Sequence, residues 1–469
     1  MKPTKLMTGL IAAALATPAF GLTFEISGAT AFRRGTIESI HALYVASGQP
    51  FRFGSNRADA DYVNADLVIW EGTIAGLPGT TIIRTSFNGS IEGLRAIAES
   101  PASDPPYYKT SVLTVTPAIG GAQEDGNGAG SGIGAIPTSG NTETAETEIA
   151  FSDTDKAISP YAADPMVGGP VGVAVFALVA NEGAPITNVT VQQYNSLLSN
   201  GYVPLSFFTG NPADTSLVFC TGRNDGSGTR SSYLSEMGYG VANAVKQFLV
   251  VGSEGNFITA LQEVPAGGVN ALTPGAGGTV GGAGGIDQFD AQPGTAGFQD
   301  VTQLATSASI VWGQDIPGNG GAFSGSVLRG HLALRGDRVG GVSVFDANGT
   351  DLFGTAQNNV AMLSWISVND AITARTNGAS IIAFNGVTID VNGPSNTLST
   401  TDKAKVYNGM YSPWNFQQMY HRFGASTETV TLYNLIFSAV PNNLGSAGLK
   451  ATDMNVGRAD DGGTINPLL

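Results

Sequence analysis

Residues 223–229, with the sequence Arg-Asn-Asp-Gly-Ser-Gly-Thr, combine the residue types that bind an oxyanion. The guanidinium of Arg223 can donate two parallel charge-assisted hydrogen bonds, and the two glycines let the backbone approach a ligand without a Cβ in between. A helix pattern starts at Thr229, so backbone N–H groups and the hydroxyls of Ser227 and Thr229 would face an anion at the positive end of a helix dipole. The tetrapeptide Asp-Gly-Ser-Gly alone is equally typical of a surface turn. The arginine before it and the helix after it favour an anion site.

Two other loops place hydroxyl side chains just before a helix pattern. Residues 27–32, Ser-Gly-Ala-Thr-Ala-Phe, contain Thr30 between the first strand-like run and a helix, and residues 88–90, Asn-Gly-Ser, place Ser90 before an apolar helix. Taken alone, each hydroxyl would be an N-cap for its own helix. Because α/β sheets bind ligands at the carboxyl ends of their strands, three such turns in one chain predict a shared site.

Residues 151–158, Phe-Ser-Asp-Thr-Asp-Lys-Ala-Ile, supply carboxylates that would select among anions. Hydrogen phosphate has an O–H to donate, and a buried aspartate can accept it. Fully ionised sulfate would leave that carboxylate unpaired and repelled. An unpaired buried acceptor costs about 1–3 kcal/mol, and more when it is charged. The alternative role for Asp153 and Asp155 is a solvated turn or an N-cap.

These motifs, in this order, resemble the periplasmic phosphate-binding proteins that deliver their ligand to ABC importers. Residues 223–229 match that family's Arg-x-Asp-Gly-Ser-Gly-Thr loop at every fixed position. Residues 27–32 look like its Gly-Ala-Thr-Phe loop with one alanine inserted, and Ser90 opens a stretch similar to its Ser-Ser-Gly-Gly loop. In residues 151–158 the family's aspartate falls on Asp155 by its spacing from the preceding phenylalanine.

The resemblance implies a role for each candidate ligand-binding residue. Asp155 would accept the proton of the bound ion, and Asp225 would hold Arg223 in place. Hydrogen bonds to the anion would come from Thr30, the N–H of Ala31, Ser90, Arg223, Ser227, Gly228 and Thr229.

Two positions depart from the family pattern. Glu92 stands where the family has a glycine, which brings an extra carboxylate close to the predicted anion. Arg33 and Arg34 replace a proline-containing stretch on the opposite loop. These changes in charge either offset each other, select a different oxyanion, or mark a site that has drifted out of use.

Apolar strand-like runs alternate with helical patterns along the chain, which predicts an α/β fold with helices covering a sheet. The family resemblance implies a two-lobed, type II-like periplasmic-binding-protein clamshell. Lobe I would comprise residues 22–180 and 371–469, and lobe II residues 181–370. Two long glycine-rich stretches, at about 101–147 and 267–297, are predicted to be surface insertions, because neither has the strand, lysine and helix of a nucleotide loop.

The composition disfavours several other classes of protein. A net charge of −15 with 13% charged residues argues against nucleic acid or an anionic membrane as a partner. The single cysteine, Cys220, allows no intramolecular disulfide and no cysteine zinc site, and His41, His331 and His421 lie too far apart for metal-ligand spacing. We expect neither a metal nor another cofactor. We also expect no enzyme activity, since no serine stands beside a candidate base.

Residues 1–21 have the pattern of a cleaved secretory signal peptide: two lysines, a short apolar run and small residues at the cleavage point. The apolar run is too short to remain as a membrane anchor. No cysteine follows the cleavage point, so a lipid anchor is not expected either. The sequence therefore predicts a periplasmic or secreted protein, without a membrane anchor and monomeric.

The function predicted from these features is an exported solute-binding protein that captures inorganic phosphate between two lobes for ABC-type import. The partners would be phosphate, or a related oxyanion, and an ABC permease. The alternative is a secreted or surface interaction protein that keeps the phosphate-binding-protein fold as a scaffold. Phosphate titration of the purified protein distinguishes the two hypotheses.

Overall fold

The structure is a computed structural model that describes residues 21–57, 59–101, 104–124, 135–264, 321–322, 324–389, 398–444 and 448–468. The predicted signal peptide, apart from Gly21, and the whole glycine-rich stretch 267–297 lie outside the described residues. Among the described residues, no helix is both long and apolar enough to cross a membrane.

The described residues form β-strands and α-helices that alternate along most of the chain. The strands are β1 Leu22–Gly28, β2 Arg52–Ser55, β3 Leu67–Gly72, β4 Thr81–Ser86, β5 Pro106–Tyr108, β6 Ala122–Gln123, β7 Thr142–Thr144, β8 Ile149–Ser152, β9 Met166–Ala180, β10 Asn188–Val189, β11 Tyr202–Pro204, β12 Leu217–Cys220, β13 Phe248–Glu254, β14 Phe257–Glu263, β15 Ser343–Phe345, β16 Val360–Ser367, β17 Ser380–Phe384, β18 Trp414–Arg422, β19 Val456–Gly457 and β20 Asn466–Pro467. The helices are α1 Arg33–Ala46, α2 Ser90–Ala98, α3 Val191–Asn200, α4 Ser206–Thr209, α5 Gly228–Glu236, α6 Gly325–Leu332, α7 Val368–Thr376, α8 Thr400–Tyr407 and α9 Thr427–Ala439.

One large sheet runs through both halves of the molecule. Its strand order is β11-β12-β16-β9-β18-β8-β1-β4-β3-β2-β6, with β17 also on β9 and β10 on β17. The long strands β9 and β18 connect the halves: residues 166–175 of β9 pair with β18, whereas residues 176–180 pair with β16. Residues 171–180 are all buried, as expected for a continuous apolar run covered on both faces.

Each half has its own hydrophobic core. In the first, Ile26 and Trp70 of the sheet pack with Ile40 of α1 and Ile436 of α9. The second core is built around β9, β12 and β16 with the helices α3 and α7. The predicted α/β fold with two lobes is confirmed, since each core is a sheet covered by helices.

The structure corrects the predicted point at which the chain returns to lobe I. Buried residues of α7, β17 and α8 belong to the second core, because β17 pairs antiparallel with residues 178–180 of β9. The described residues between 371 and 407 therefore pack with lobe II. The return crossing is β18, later in the chain than the predicted position near residue 371.

The described part of the first glycine-rich stretch packs against the sheet of lobe I, outside the two main cores. Its prediction as an insertion stays a prediction. Strand β6 extends the sheet beside β2. Tyr108 is fully buried with Leu67 and Ile69 of β3, and its hydroxyl donates to the carbonyl oxygen of Ile136 at 2.6 Å. Residues 106–108 and 136 thus cover the outer face of the sheet.

Candidate functional site

Three loops of lobe I leave neighbouring parallel strands at the same sheet edge. Strand β1 pairs in parallel with β4 and with β8, so their carboxyl ends lie side by side. The N–H of Ala29 donates to Phe151 O at 2.8 Å, and the N–H of Gly89 donates to Gly28 O at 3.0 Å. A Cβ on Gly28 would lie 1.9 Å from Phe151 O, so the close approach of these loops requires glycine there. The loops containing Thr30, Ser90 and Asp153 are thereby held together.

The 223–229 loop of lobe II packs directly onto these loops. It precedes α5, as the sequence predicts, and the carbonyl oxygen of Gly226 accepts a 3.1 Å hydrogen bond from the N–H of Ile91 in α2. The hydroxyl of Thr154 donates to Gly228 O at 3.0 Å. A Cβ on Gly228 would lie 1.7 Å from Asp153 Oδ1 and 2.3 Å from Ser90 Oγ. The starts of α2 and α5 therefore meet at the boundary between the lobes.

Asp153 is the carboxylate at the centre of this meeting point. Its side chain is 1% exposed and accepts a hydrogen bond from the Ser90 hydroxyl, and its own N–H donates to Ser90 Oγ at 3.2 Å. Burial raises the pKa of Asp153, while the bond from Ser90 and the charge of Arg223 oppose that rise. A hydrogen bond with the Thr229 side chain also lowers the pKa of Asp153.

Asp155, the predicted proton acceptor, lies outside this cluster. Its side chain accepts from the N–H of Ala157 at 2.9 Å and caps the short 3₁₀ helix Lys156–Ile158. Its backbone N–H donates to Asp461 Oδ2 at 2.7 Å. Because β8 ends at Ser152, the first residue beyond the strand is Asp153, and Asp155 belongs to the following turn. Asp153, and not Asp155, is therefore the aspartate that contacts Ser90 and lies next to Gly228.

Arg223 contributes a buried positive charge to the cluster. It is 2% exposed; Nε donates to the carbonyl oxygen of Ala322 at 3.0 Å and Nη1 to Thr30 Oγ1 of lobe I at 3.4 Å. Burial lowers its pKa to about 10, opposed chiefly by the charge of Asp153. The guanidinium therefore stays charged at neutral pH. Gln247 Nε2 donates to the backbone oxygen of Arg223 at 3.1 Å and helps to fix the loop.

The remaining predicted residues of the loop are also buried. Asp225, Ser227 and Thr229 are each 1–2% exposed. Among the described residues, Ser227 Oγ has no hydrogen-bond partner, although it lies at the N-cap of α5. A buried hydroxyl without a partner is costly, which makes it a candidate donor to a ligand. The predicted role of Asp225 in holding Arg223 stays a prediction.

A polar cavity of about 160 Å³ lies between the lobes, and we call it the interlobe cavity. Thr30 and Ala31 of the predicted site line it, so it adjoins the cluster around Arg223. The other lining residues include Arg33 and Arg34 of α1, Ser324 and Arg329 at α6, and Asp370 of α7.

Glu92, the extra carboxylate, is turned toward its own helix. Its Oε2 accepts from Arg95 Nη1 at 3.3 Å, and both side chains lie on α2. Its negative charge is thus partly offset by Arg95. Arg33 and Arg34 line the interlobe cavity, and they pair with Asp66 and Glu38 respectively.

No local signal in the sequence marks several of the residues that complete the cluster. Asn415 of β18 donates to Asp153 O at 3.3 Å and to Ser232 Oγ at 2.7 Å, which ties the lobe I loop to α5. Ala322, which accepts from Arg223, comes almost one hundred residues later in the chain. These contacts depend on the folded arrangement of distant segments.

Other reactive side chains lie apart from this cluster. Burial raises the pKa of Cys220 to about 12, so its thiol stays protonated near neutral pH. His331 is fully enclosed on α6, and burial lowers its pKa to about 4. In the part of the chain that the structure describes, no group of three or more His, Cys, Asp or Glu side chains is arranged to hold a metal ion.

No protein-family model and no curated protein matches the chain. Among solved structures, it is similar to a putative phosphate ABC transporter substrate-binding protein with bound phosphate from Clostridium perfringens (10% identity, 92% of this chain and 99% of that chain, TM-score 0.39). It is also similar to an ABC-type phosphate transport receptor from Vibrio cholerae (10% identity, 90% and 99%, TM-score 0.38). A human phosphate-binding apolipoprotein gives 12% identity, 92% of each chain and a TM-score of 0.33.

Proposed function

We propose that the chain is an exported solute-binding protein that captures phosphate between its two lobes. The observation that carries this proposal is the meeting of Arg223 and the α5 start from lobe II with Ser90 and Asp153 from lobe I. Two helix starts and a buried guanidinium create a positive environment, which attracts an anion. The buried carboxylate in the same place favours an anion that keeps a proton.

Each residue of the cluster would either donate a hydrogen bond to the anion or accept its proton. Arg223, Ser90, Ser227 and Thr229 would donate to the oxygens of the anion, with the N–H groups of Ala31 and Gly228 and the hydroxyl of Thr30. Asp153 would accept the O–H of hydrogen phosphate. A buried aspartate still accepts the proton of the anion, as predicted from the sequence, but that aspartate is Asp153 instead of Asp155. Asp153 is the carboxylate in contact with Ser90 and Gly228.

Binding would be coupled to a hinge motion of the lobes. Gly228 packs so closely on Asp153 and Ser90 that the lobes must separate before an anion can enter. The long strands β9 and β18 connect the two cores and are the elements about which such a motion would occur. The closed form around the anion would then be the form that an ABC permease recognises.

We further propose that the protein binds phosphate without transforming it. The hydroxyl of Ser90 is bonded to a carboxylate rather than to a histidine, and Cys220 stays protonated. The cluster therefore offers hydrogen bonds and charge, but no activated nucleophile of the usual kind. Export through a cleaved signal peptide, as the N-terminal sequence indicates, agrees with capture outside the cytoplasm.

Calorimetric titration of the purified mature protein tests the proposal. Phosphate near neutral pH should give saturable binding with one site per chain, and sulfate at the same concentration should bind at least tenfold more weakly. A folded protein that gives no heat with phosphate would overturn the proposal. That result would favour the alternative of an interaction protein that keeps the fold as a scaffold.

A further inference from the structure

The interlobe cavity adjoins the proposed phosphate site at Thr30 and Ala31. Thr30 and Ala31 line the cavity, and Thr30 Oγ1 accepts from Arg223 Nη1 at 3.4 Å. Arg33 and Asp370, which also line it, lie close enough to Arg223 to influence its pKa. A ligand held by Arg223 could therefore extend past Thr30 into the cavity.

The lining of the cavity carries more positive than negative charge. Its charged residues are the three arginines Arg33, Arg34 and Arg329 and the single aspartate Asp370. Arg33 is paired with Asp66, and Arg329 with Asp370 at 3.2 Å. Arg34 is 52% exposed and is bonded to Glu38 of its own helix at 2.9 Å. Its long side chain can turn toward a ligand at little cost.

The helix starts at the cavity add to this charge. Helices α6 and α7 are capped by Ser324 and Ser367, each of which accepts from a backbone N–H of its own helix. Helix α1 starts at Arg33 and has no side-chain cap and no acidic residue in its first turn. The positive end of its dipole thus faces the cavity without a carboxylate of its own to offset it.

The size of the cavity limits the group that it can hold. At about 160 Å³ the cavity has space for a small group such as a phosphoryl group.

We infer that the site takes a condensed phosphate, with one phosphoryl group in the Arg223 cluster and a second, anionic phosphoryl group in the interlobe cavity. This inference rests on the proposed function. Pyrophosphate keeps a proton near neutral pH, so its terminal group can still donate an O–H to Asp153. Arg34, whose bond to Glu38 is exposed, would then turn to donate to the second group, with Arg33 and Arg329 beside it.

Calorimetry with three probes tests this inference on the intact mature protein near neutral pH. Pyrophosphate should bind at least tenfold more tightly than inorganic phosphate. Glycerol 3-phosphate, which places a neutral group of similar size in the cavity, should bind more weakly than pyrophosphate. If phosphate binds and pyrophosphate binds no more tightly, the inference is wrong while the proposed function stands. If glycerol 3-phosphate equals pyrophosphate, the cavity does not select an anion, and the inference is equally wrong. If none of the three binds, both proposals fail.

Two variants test whether the tighter binding of pyrophosphate depends on the interlobe cavity. Arg34→Gln should weaken pyrophosphate binding about tenfold and change phosphate binding less than threefold, because Arg34 contacts Glu38 and not the 223–229 loop. Arg329→Gln should likewise weaken pyrophosphate binding more than phosphate binding. Arg338→Gln is the matched control, since Arg338 pairs with Glu254 away from the cavity. Equal loss of phosphate and pyrophosphate affinity in Arg34→Gln, in a protein with unchanged melting temperature, would contradict the assignment.

Discussion

Gly228 and Asp153 face each other across the boundary between the lobes so closely that a Cβ on Gly228 would lie 1.7 Å from Asp153 Oδ1. Gly228 is the first residue of α5, and Asp153 is the first residue after β8. This contact brings a helix start and a buried carboxylate together. It is the geometry that a protonated anion needs: donors on one side and an acceptor on the other.

Gly228→Ala should prevent the lobes from closing fully. The added Cβ would collide with Asp153 and with Ser90, and neither side chain has free space because both are buried. We expect phosphate affinity, measured by calorimetry, to fall at least tenfold. Gly169→Ala is the control, since a Cβ there meets nothing within 4 Å. Unchanged affinity in Gly228→Ala would show that this contact is not part of the binding site.

Arg223→Lys should weaken phosphate binding by about 2 kcal/mol or more, because a desolvated bidentate pair is replaced by a single point charge. Arg335→Lys provides a matched control: its side chain is 40% exposed and pairs with Asp337 on the surface. Calorimetry on both variants measures the difference, and a thermal melt checks folding. Equal affinity in the two variants would remove Arg223 from the site.

The buried carboxyl group of Asp461 should make the free energy of unfolding depend on pH. Burial raises its pKa from 3.8 to about 8, and its Oδ2 accepts from the N–H of Asp155 while Ser235 Oγ donates to its backbone oxygen. Because the folded state holds the proton more tightly than the unfolded state, its contribution to stability is complete below about pH 4. That contribution is lost as the pH rises through about 8.

Urea unfolding at several pH values tests this dependence. In Asp461→Asn the loss of unfolding free energy between pH 5 and pH 9 should be smaller than in the wild type. Glu148, whose pKa burial raises to about 7, contributes in the same direction and remains in the variant. The exposed neighbour Asp460 provides the control variant Asp460→Asn. A wild-type pH slope in Asp461→Asn would contradict the expectation.

Tyr108→Ala should destabilise lobe I, because the tyrosine is fully buried between the sheet and residue Ile136. Removing a buried aromatic side chain costs about 3–5 kcal/mol in the free energy of unfolding. Tyr108→Phe keeps the ring and loses only the hydrogen bond, so it should cost about 1 kcal/mol. Denaturant unfolding measures both. A loss below 1 kcal/mol in Tyr108→Ala would mean that this stretch is not part of the packed structure.

The sequence was sufficient to predict the elements of the site that lie close together in the chain. A strand, a glycine-containing loop and a helix follow one another at Thr30, at Ser90 and at Arg223, and the structure has all three in this form. Parallel pairing of β1 with β4 and β8 then brings the first two loops together. Local signals therefore predicted the fold class and the loops that meet at the cluster.

Contacts between distant segments could not be predicted in this way. Spacing from a phenylalanine pointed to Asp155, but the end of β8 decides which aspartate leaves the strand first, and that residue is Asp153. The end of lobe II was also misjudged, because β17 pairs with β9, far away in the chain. Strand ends and long-range pairing are set by the packing of the whole sheet rather than by nearby residues.

Asp153 is proposed to select a protonated anion. Competition calorimetry with phosphate and sulfate on Asp153→Asn tests this role most directly. The variant loses the negative charge and gains an amide that can donate, so phosphate should bind more weakly and sulfate more tightly. One charged hydrogen bond of roughly 1.5–3 kcal/mol corresponds to a fall in the phosphate-over-sulfate ratio of at least about tenfold. Asp155→Asn is the control and should keep the wild-type ratio, since Asp155 caps the 3₁₀ helix Lys156–Ile158. An unchanged ratio in Asp153→Asn, or a fall in Asp155→Asn alone, would contradict the assignment.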